Sequence, residues 1–394
     1  MNKVANSYFA QEQAASPSKR HQEALERCIA RLAEQMPVIG LRNPKIGTAQ
    51  NRWIYCDGPD WVMGFLSGTL WLAYQLTGRS DFARAATARR PGFRMVLENR
   101  RYRDHDLGFQ FSLSSVAEWQ MTGDREARRM GLAAADALLG RFRPEGGYIQ
   151  AWTARGPDDR AQARFANGRM IADTMQNLAL LYWANRQTGI DDYRDVADIH
   201  AETAARLLVR DDDTSFHTFL FDPADGTPLR GETHQGFADG SCWSRGQAWL
   251  IHGFAQCHAY TRNAAFLAIA SRLAARAETL VGSQAVPVWD FADDPAKPDH
   301  IDSSAGAVMA AGLYLLAGQC ADPADRLRWR AFADRLLDGL IATCDLTATE
   351  GAQGFLAHGA AHVPAGRHDA MLPYGDYYFM EALMRSLGHN SFFW

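Results

Sequence analysis

The joins between the helices of this chain alternate between very short and very long. Apolar residues recur at i, i+3, i+4 and i+7 along twelve segments, which is the spacing of a helix with a buried face. Every second join is a turn of a few residues, whereas the intervening joins run to roughly 9–30 residues, against a usual 2–8 between packed helices. Long loops on one side of a helical scaffold are where proteins build sites, so the pattern predicts an enzyme or a binding protein.

The predicted helices span residues 17–36, 60–77, 80–98, 108–122, 124–142, 170–188, 191–209, 240–261, 264–281, 302–318, 323–344 and 375–388. The short joins share a local sequence: Thr77-Gly78, Thr122-Gly123 and Thr188-Gly189, with Thr261-Arg262 as a weaker copy. Glycine suits the left-handed residue that ends a helix. Because the next helix starts at once, each pair is predicted to form a tight helical hairpin.

The helices after long joins are rich in Trp, Gly, Ala and Ser, whereas those after short joins are rich in Arg, Ala, Asp and Glu. The first set is therefore predicted to be buried on most sides, and the second to be amphipathic with one solvated face. Six inner helices ringed by six outer ones make an all-α (α/α)6 barrel, and no linker-like composition divides residues 1–394 into separate domains. The structural alternative is an open α-solenoid, whose repeats would be more uniform in length.

Composition argues against several classes of protein. The 394 residues carry a net charge of −4 with no basic run, which argues against nucleic-acid binding. The N-terminus lacks the apolar segment of a secretion signal, and the longest apolar stretch, Ala305–Gly318, is too short to span a bilayer. The six cysteines are scattered and lack the spacing of a metal site or a disulfide framework. We expect a cytoplasmic protein, a monomer or weak homodimer, without metal or cofactor.

The inner helices share a polarity that predicts the charge of the ligand. Each begins at the face that carries the long joins, so six helix N-termini gather there. Free N–H groups and positive dipole ends favour anions. A substrate that bears a carboxylate is therefore expected at this face.

Two acids stand at the starts of inner helices. Asp106, in the segment His105–Phe109, precedes the second inner helix and is equally well explained as an N-cap. Asp173 lies in the first turn of the third, among apolar residues where an acid is costly unless it is paired or used. Asn177 is one turn further on the same face and is a candidate substrate-binding residue. Two acids that face each other across the barrel mouth would raise the pKa of one, which keeps a proton available near neutral pH.

The densest polar and aromatic stretch is Thr233–Trp249, at the start of the fourth inner helix. Arg, Gln and His offer hydrogen-bond donors to a carboxylate or to hydroxyls, and Trp faces stack on sugar rings. A single Trp more often belongs to the hydrophobic core than to a sugar-binding platform, but the clustering of Trp with Arg, Gln and His favours a binding site. The candidate binding residues here and at the other long joins are His217, Gln235, Trp243, Arg245, Trp249, Trp61 and Trp152.

Seven segments carry a resemblance that covers the chain from about Trp53 to Leu387. They are His105–Phe109, Asp173–Trp183, Phe216–Phe219, Thr233–Trp249, Pro287–Phe291, Asp302–Ala305 and Gly375–Leu383. In combination and order they resemble the unsaturated glucuronyl hydrolases, glycoside hydrolase family 88, which have the (α/α)6 barrel inferred above. Each segment alone is weak, whereas their order is specific.

The resemblance implies an unusual hydrolysis. Polysaccharide lyases leave a C4=C5 double bond in the terminal uronate of their products, and enzymes of this family hydrate that vinyl ether instead of attacking C1. By similarity, Asp173 is the general acid/base, which protonates C4 and then activates the water that adds at C5, and Asp106 is its partner. His217, Gln235 and Arg245 match positions that line the uronate pocket, and the four tryptophans named above match its aromatic positions.

The chemistry agrees with the residues, because adding water across an enol ether needs one proton donated and one removed, and a single carboxyl does both in turn. No metal or cofactor is required. The ordinary glycosidase scheme, with two carboxylates acting at the anomeric carbon, stays open on the sequence alone, and only the resemblance argues against it.

The identity of the second sugar, the aglycone, is left open. In the family the loop before the last inner helix, here Gly359–Pro373, helps choose that sugar and its sulfation, and this chain lacks a Ser- and Lys-rich version of it. Arg367 is a candidate contact to a substituent on the second sugar, beside the plainer interpretation of a solvated loop arginine.

Two rival functions are a family 105-like unsaturated rhamnogalacturonyl hydrolase, which acts on pectin fragments, and a non-catalytic carbohydrate-binding barrel. The segments His105–Phe109 and Thr233–Trp249 favour the glucuronyl enzyme over the first. The second would not need Asp173 in an apolar helix start beside another acid.

Overall fold

A computed structural model describes residues 19–153 and 160–394 of the chain. Its α-helices, in chain order, are α1 (Lys19–Ile39), α2 (Met63–Thr77), α3 (Ser80–Thr87), α4 (Arg90–Glu98), α5 (Leu107–Phe111), α6 (Ala117–Thr122), α7 (Arg125–Leu139), α8 (Arg160–Ala166), α9 (Thr174–Thr188), α10 (Asp191–Leu207), α11 (Ser244–Thr261), α12 (Ala264–Val281), α13 (Ser303–Ala317), α14 (Pro323–Thr343) and α15 (Pro373–Ser386). A π-helical turn, Ser112–Val116, joins α5 to α6, and short 3-10 turns lie at Arg100–Tyr102 and Val363–Ala365. None of the described helices is long and apolar enough to cross a membrane.

The inner helices form a closed ring. Around it, α2 contacts α5, α5 contacts α9, α9 contacts α11, α11 contacts α13, α13 contacts α15, and α15 returns to α2. The outer layer consists of α3, α7, α10, α12 and α14, each against the inner helix before it, of α4, which packs against α7, and of α1, which packs against α15. An open solenoid would leave its two ends apart, so the predicted (α/α)6 barrel is confirmed.

Burial follows the predicted division into inner and outer helices. In the outer helix α7 the buried residues recur every three or four positions, whereas α13 is buried over almost its whole length. Inner helices also approach each other closely: a Cβ on Gly108 would lie 2.3 Å from Asn177 Cα, and one on Gly253 would lie 2.5 Å from Met175 Cβ. The glycines therefore let α5 and α11 touch α9, and they fix the spacing of the helices that carry the acids.

The short turns are as predicted. Gly78, Gly123 and Gly189 have φ of 69°, 71° and 75°, and each donates its N–H to the carbonyl four residues earlier. Arg262, the weaker copy, takes the same left-handed conformation with φ 61° and makes the same bond to His258.

The structure differs from the prediction in three helical segments. The predicted helix 80–98 is broken between Thr87 and Arg90, where Pro91 enters the first turn of α4, because proline lacks the N–H that an unbroken helix would need there. The predicted helix 108–122 contains the π-helical turn. The predicted helix 170–188 begins only at Thr174, because the residues before it form a strand.

Seven short strands, which the helical periodicity did not predict, lie in the long loops of the described residues. They are β1 (Pro44–Gly47), β2 (Trp53–Tyr55), β3 (Phe142–Arg143), β4 (Tyr148–Ile149), β5 (Arg169–Ile171), β6 (Thr218–Phe221) and β7 (Pro228–Glu232). They form antiparallel pairs β1–β2 and β3–β4 and an antiparallel sheet in the order β5–β6–β7. In that sheet Ile171 is opposite Thr218, so the start of α9 is held against a loop from elsewhere in the chain.

Candidate active site

Asp173 lies between the end of β5 and the first residue of α9. Its side chain makes no capping hydrogen bond, only 8% of the residue is exposed, and its Oδ2 is buried without a hydrogen-bond partner in the described residues. Burial raises the pKa of Asp173 to about 7, against the opposing effects of the Arg245 charge and the Trp249 indole N–H. A carboxyl with this pKa is half protonated near neutral pH, so it can donate a proton and then accept one.

The pairing of β5 with β6 places His217 next to Asp173. The strands meet so that the N–H of Ala172 donates to the His217 carbonyl at 2.9 Å. The His217 Nε2 atom then lies 3.9 Å from the Asp173 Oδ2 atom. That distance is too long for a direct hydrogen bond, so the two atoms flank a position that a hydroxyl or water oxygen can occupy.

The backbone around His217 decides which ring nitrogen carries its proton. Its Nδ1 accepts the N–H groups of His234 at 3.0 Å and Gln235 at 3.2 Å. Burial, helped by nearby positive groups, lowers the pKa of His217 well below its ordinary value, so the ring is neutral. Because Nδ1 is the acceptor, the proton is on Nε2 and is directed toward the side of Asp173.

Asp106 precedes α5, and its side chain makes no capping hydrogen bond, so the capping interpretation does not account for it. The residue is 6% exposed, and His105 Nε2 is 3.5 Å from its Oδ2. Burial raises the pKa of Asp106 well above its ordinary value, and the negative charges of Asp104 and Asp173 add to the effect. The two predicted acids are therefore neighbours that influence each other's protonation.

Asn177 connects the two helix starts that carry these acids. Its Oδ1 accepts the backbone N–H of Phe109 at 2.6 Å, and its Nδ2 donates to the Asp173 carbonyl at 3.1 Å. Its side chain is wholly buried. Asn177, which the sequence suggested as a substrate contact, therefore has both ends of its amide bonded to protein. This arrangement favours a role in positioning the two acids over a contact to substrate.

Arg245, in the first turn of α11, is 1% exposed and is ion-paired with the wholly buried Asp302. Its guanidinium also donates to the carbonyls of Ala360 at 2.8 Å and Ala361 at 3.0 Å. Gln235 Nε2 donates to the same Ala361 carbonyl at 2.7 Å. These two candidate residues therefore hold the loop after α14 against the site, and Arg245 also brings a positive charge near Asp173.

The four candidate tryptophans divide into two kinds. Trp243 and Trp249 are 2% and 0% exposed, so they support the pocket from behind and offer no open face. Trp61 and Trp152 are half-buried. The open pair can act as sugar platforms, and the buried pair packs on its neighbours.

The two half-buried tryptophans have different neighbours. Trp61 packs 4.9 Å from the Tyr374 ring and also lines a cavity of about 270 Å³ with Asp60, Tyr102 and other residues. Trp152 stacks on Phe165 at 4.9 Å. The sugar-binding surface predicted from these residues therefore has aromatic walls from two different loops.

The loop Gly359–Ala370 is a hairpin over the site. Bridges pair Gly359 with Ala370 and His362 with Arg367. The His362 ring lies 4.8 Å from the His234 ring, at the edge of the pocket. Arg367 is exposed on this hairpin, and no described contact ties its side chain to the two acids.

Several residues of the site were not singled out from the sequence. Tyr374 precedes Gly375 at the start of the last inner helix, and His105 lies directly before Asp106 in a segment already named, so their positions at helix starts were the available signal. From the sequence, Asp302 could be interpreted only as a helix cap, and in the structure it does accept the Ser304 N–H at 3.0 Å. Its pairing with Arg245 joins two distant helix starts, which no local pattern predicts.

The fold and the site together define an (α/α)6-barrel glycoside hydrolase. The model of glycosyl hydrolase family 88 matches residues 39–381. The chain is 40% identical to an unsaturated glucuronyl hydrolase of Bacillus sp. strain GL1 over 92% of this chain and 96% of that protein. It is 31% identical to an unsaturated chondroitin disaccharide hydrolase of Streptococcus pneumoniae over 94% of this chain and 93% of the relative.

The crystal structure of the Bacillus sp. GL1 enzyme superposes with a TM-score of 0.87 over 93% of this chain and 96% of that one. That of an unsaturated glucuronyl hydrolase from Streptococcus agalactiae, 30% identical, superposes with a TM-score of 0.86 over 95% of this chain and 94% of the other. The chain belongs to glycoside hydrolase family 88. These findings favour an unsaturated glucuronyl hydrolase over a family 105-like rhamnogalacturonyl hydrolase. They also favour an enzyme over a non-catalytic carbohydrate-binding barrel.

Proposed function

We propose that this enzyme removes the terminal unsaturated (4,5-ene) glucuronate from oligosaccharides made by polysaccharide lyases, with Asp173 as the general acid/base. The observation that carries the proposal is the Asp173 carboxyl itself, which is buried and has a pKa of about 7. Its Oδ2 has no hydrogen-bond partner among the described residues and faces the neutral His217 Nε2–H. The names of the curated relatives support the substrate class.

The proposed reaction adds one water molecule and returns Asp173 to its starting state. The protonated carboxyl of Asp173 gives its proton to C4, which leaves positive charge shared between C5 and the ring oxygen. A water oxygen then bonds to C5 while the Asp173 carboxylate takes its proton. The resulting hemiketal opens the ring, and C1 becomes a hemiacetal that collapses to an aldehyde and releases the second sugar with its oxygen protonated.

The other residues of the site orient the substrate or set the protonation of Asp173. The His217 Nε2–H is placed to donate to a hydroxyl or water oxygen beside Asp173. Asp106, whose pKa is raised by burial and by its acidic neighbours, provides a second carboxyl for the sugar hydroxyls. The six inner-helix N-termini and the Arg245 charge favour the substrate carboxylate, and Trp61 and Trp152 provide platforms.

The test is turnover of unsaturated disaccharides from chondroitin, heparin, alginate, gellan and pectin digests. We expect loss of the ultraviolet absorbance of the conjugated double bond with at least one glucuronate-terminated disaccharide. The matched control is the corresponding saturated disaccharide, which has no C4=C5 bond and should stay intact. No loss of absorbance with any unsaturated substrate, under conditions where the protein is folded, would reject the proposal.

The site of water addition separates this reaction from ordinary glycosidase chemistry. In heavy-oxygen water the label should appear at the former C5, whereas label at C1 would support attack on the anomeric carbon. Asp173→Asn should abolish turnover and leave the disaccharide bound, as measured by calorimetry. Turnover at the wild-type rate in that variant would remove Asp173 from the acid/base role.

We also propose that the enzyme works as a monomer or weak homodimer in the cytoplasm, on short fragments already inside the cell. In support, Cys28, Cys242, Cys257, Cys320 and Cys344 are buried as free thiols and Cys56 is half-buried and also free, which suits a reducing compartment. Cell fractionation tests the compartment, and light scattering of the purified enzyme over a range of concentrations tests the assembly.

A further inference from the structure

The residues after α15 turn back toward the inner ring. Gln75 of α2 donates to the Ser391 carbonyl at 3.1 Å, and the Arg385 guanidinium lies 4.0 Å from the centre of the Phe392 ring. Phe393 is 2% exposed. The segment Ser391–Trp394 is therefore packed on the barrel, and its last side chain enters the barrel.

The Trp394 indole touches residues from three inner helices. It stacks parallel to Tyr378 of α15, with ring centres 5.5 Å apart and planes 8° apart. It also contacts Phe109 of α5 at 6.2 Å and His252 of α11 at 6.3 Å. Because these helices lie on different sides of the ring, the half-buried Trp394 side chain lies between them, with part of its indole in the barrel interior.

A buried carboxylate fixes the orientation of this indole. Trp394 Nε1 donates to Glu381 at 2.8 Å, and Arg385 pairs with the same carboxylate at 2.7 Å. Burial alone would raise the pKa of Glu381, but Arg385 and the N–H groups of His252 and Trp394 outweigh it and lower the pKa to about 2. The acceptor is therefore ionised at every pH of interest, and the bond from Trp394 is charge-assisted.

The rings that Trp394 contacts are those that support the active site. Phe109 lies three residues after Asp106, and its N–H is held by Asn177. Tyr378 donates its hydroxyl to Gln176 Oε1 at 2.9 Å, and Gln176 is in the first turn of α9, after Asp173. Displacement of the indole would therefore shift the starts of both helices that carry an acid.

The buried Trp249 completes this layer, since its ring lies 5.3 Å from Phe109 and 5.4 Å from Tyr378. We propose that Trp394 is a positioning residue for the reaction: it fills the barrel beneath the aromatic layer of Phe109, Trp249 and Tyr378, and so maintains the relative placement of Asp106 and Asp173. The tail thus supports the acids without touching substrate.

The test compares Trp394→Ala with Trp329→Ala, kcat and KM being measured well below the unfolding temperature of each variant. Trp329, 2% exposed on the outer helix α14, controls for the loss of an indole and is more deeply buried than the half-buried Trp394. We expect Trp394→Ala to lower kcat by on the order of tenfold to a hundredfold, because misplacement of catalytic groups by about 1 Å can cost about a hundredfold in rate. KM should change by less than about threefold, and the control should keep its kcat.

Two further variants distinguish positioning from general stability. Trp394→Phe keeps a flat ring against Tyr378 and should recover most of the kcat. Trp394→Leu, which keeps apolar volume but no flat face, should not recover it. If the alanine variant does not fold, the leucine variant replaces it in the comparison with wild type. The apparent pKa of the basic limb of the kcat profile should also move in the alanine or leucine variant.

Wild-type kcat in folded Trp394→Ala or Trp394→Leu, or an equal loss in Trp329→Ala, would overturn the proposal. Because the readout is turnover of the unsaturated disaccharide, the inference rests on the proposed function. If the wild-type enzyme does not turn over the disaccharide, the proposed function fails. If the wild type is active and the Trp394 variants have the same kcat, only the positioning role fails.

Discussion

Replacement of Asp173 by Asn should make the protein more stable at neutral and alkaline pH while it removes the activity. Burial raises the pKa of Asp173 from an ordinary 3.8 to about 7, so the folded state holds this proton more tightly than the unfolded state. The stabilising effect of that proton is complete below pH 3.8 and is lost progressively as the pH rises toward 7. Above pH 7 the folded protein carries a buried carboxylate that the carboxamide of the variant avoids.

The size of the effect follows from the shift. A difference of about three pH units, at about 1.4 kcal/mol each, corresponds to a gain of about 4 kcal/mol for the variant at pH 8 relative to pH 4. Replacement also removes one of the negative charges that raise the pKa of Asp106, and this second effect has the same sign. The gain should be spread mainly over pH 4 to 7 and should be constant above that.

The assay is urea unfolding followed by circular dichroism at pH 5, 6, 7 and 8, for wild type, Asp173→Asn and a surface control, Asp293→Asn. The stability difference between Asp173→Asn and wild type should grow by about 1.4 kcal/mol per pH unit between pH 5 and 6. The exposed Asp293 should give a curve parallel to the wild type. Parallel curves for Asp173→Asn as well would show that Asp173 ionises normally in the folded protein, and the acid/base argument would lose its physical basis.

Three further predictions concern the same site and its support. The kcat of the wild type should fall about tenfold per pH unit above pH 7, because the acid form of Asp173 is lost there; a flat kcat up to pH 9 would contradict this. Asn177→Ala should lower kcat more than it changes KM, since the amide joins the two acid-bearing helix starts; a rise in KM alone would restore the role of a substrate contact. The double variant Arg245→Gln/Asp302→Asn, which removes a buried pair without leaving one charge alone, should move the basic limb of the kcat profile to higher pH, because Arg245 lowers the pKa of Asp173; a shift to lower pH would refute that electrostatic role.

Much of the scaffold could be predicted because its determinants are local. The helical period, the glycine after Thr77, Thr122 and Thr188, and the alternation of join lengths each depend on residues a few positions apart. Together they predicted six helix pairs, the identity of the inner layer and the face that carries the site. The interruption near Arg90 was missed although Pro91 was visible in the sequence, because the apolar period continues across it.

The positions of Asp106 and Asp173 at helix starts could also be read from the sequence, but their chemistry could not. An acid at the start of a helix is often only a cap, and what distinguishes these two is desolvation, which depends on every neighbour in space. The same holds for the tryptophans, since Trp61 and Trp249 look alike in the sequence, yet one is half-buried and the other is wholly enclosed.

Short-range periodicity and capping were thus enough to predict the barrel, its polarity and the helix starts at which the two acids stand. The pairing of β5 with β6, which brings His217 to Asp173, became visible only in the folded chain. The same is true of the ion pair between Arg245 and Asp302 and of the packing of Trp394 beneath the acids. These contacts join residues far apart in the chain, and their energies come from burial and close packing of surfaces that exist only once the ring of helices has closed.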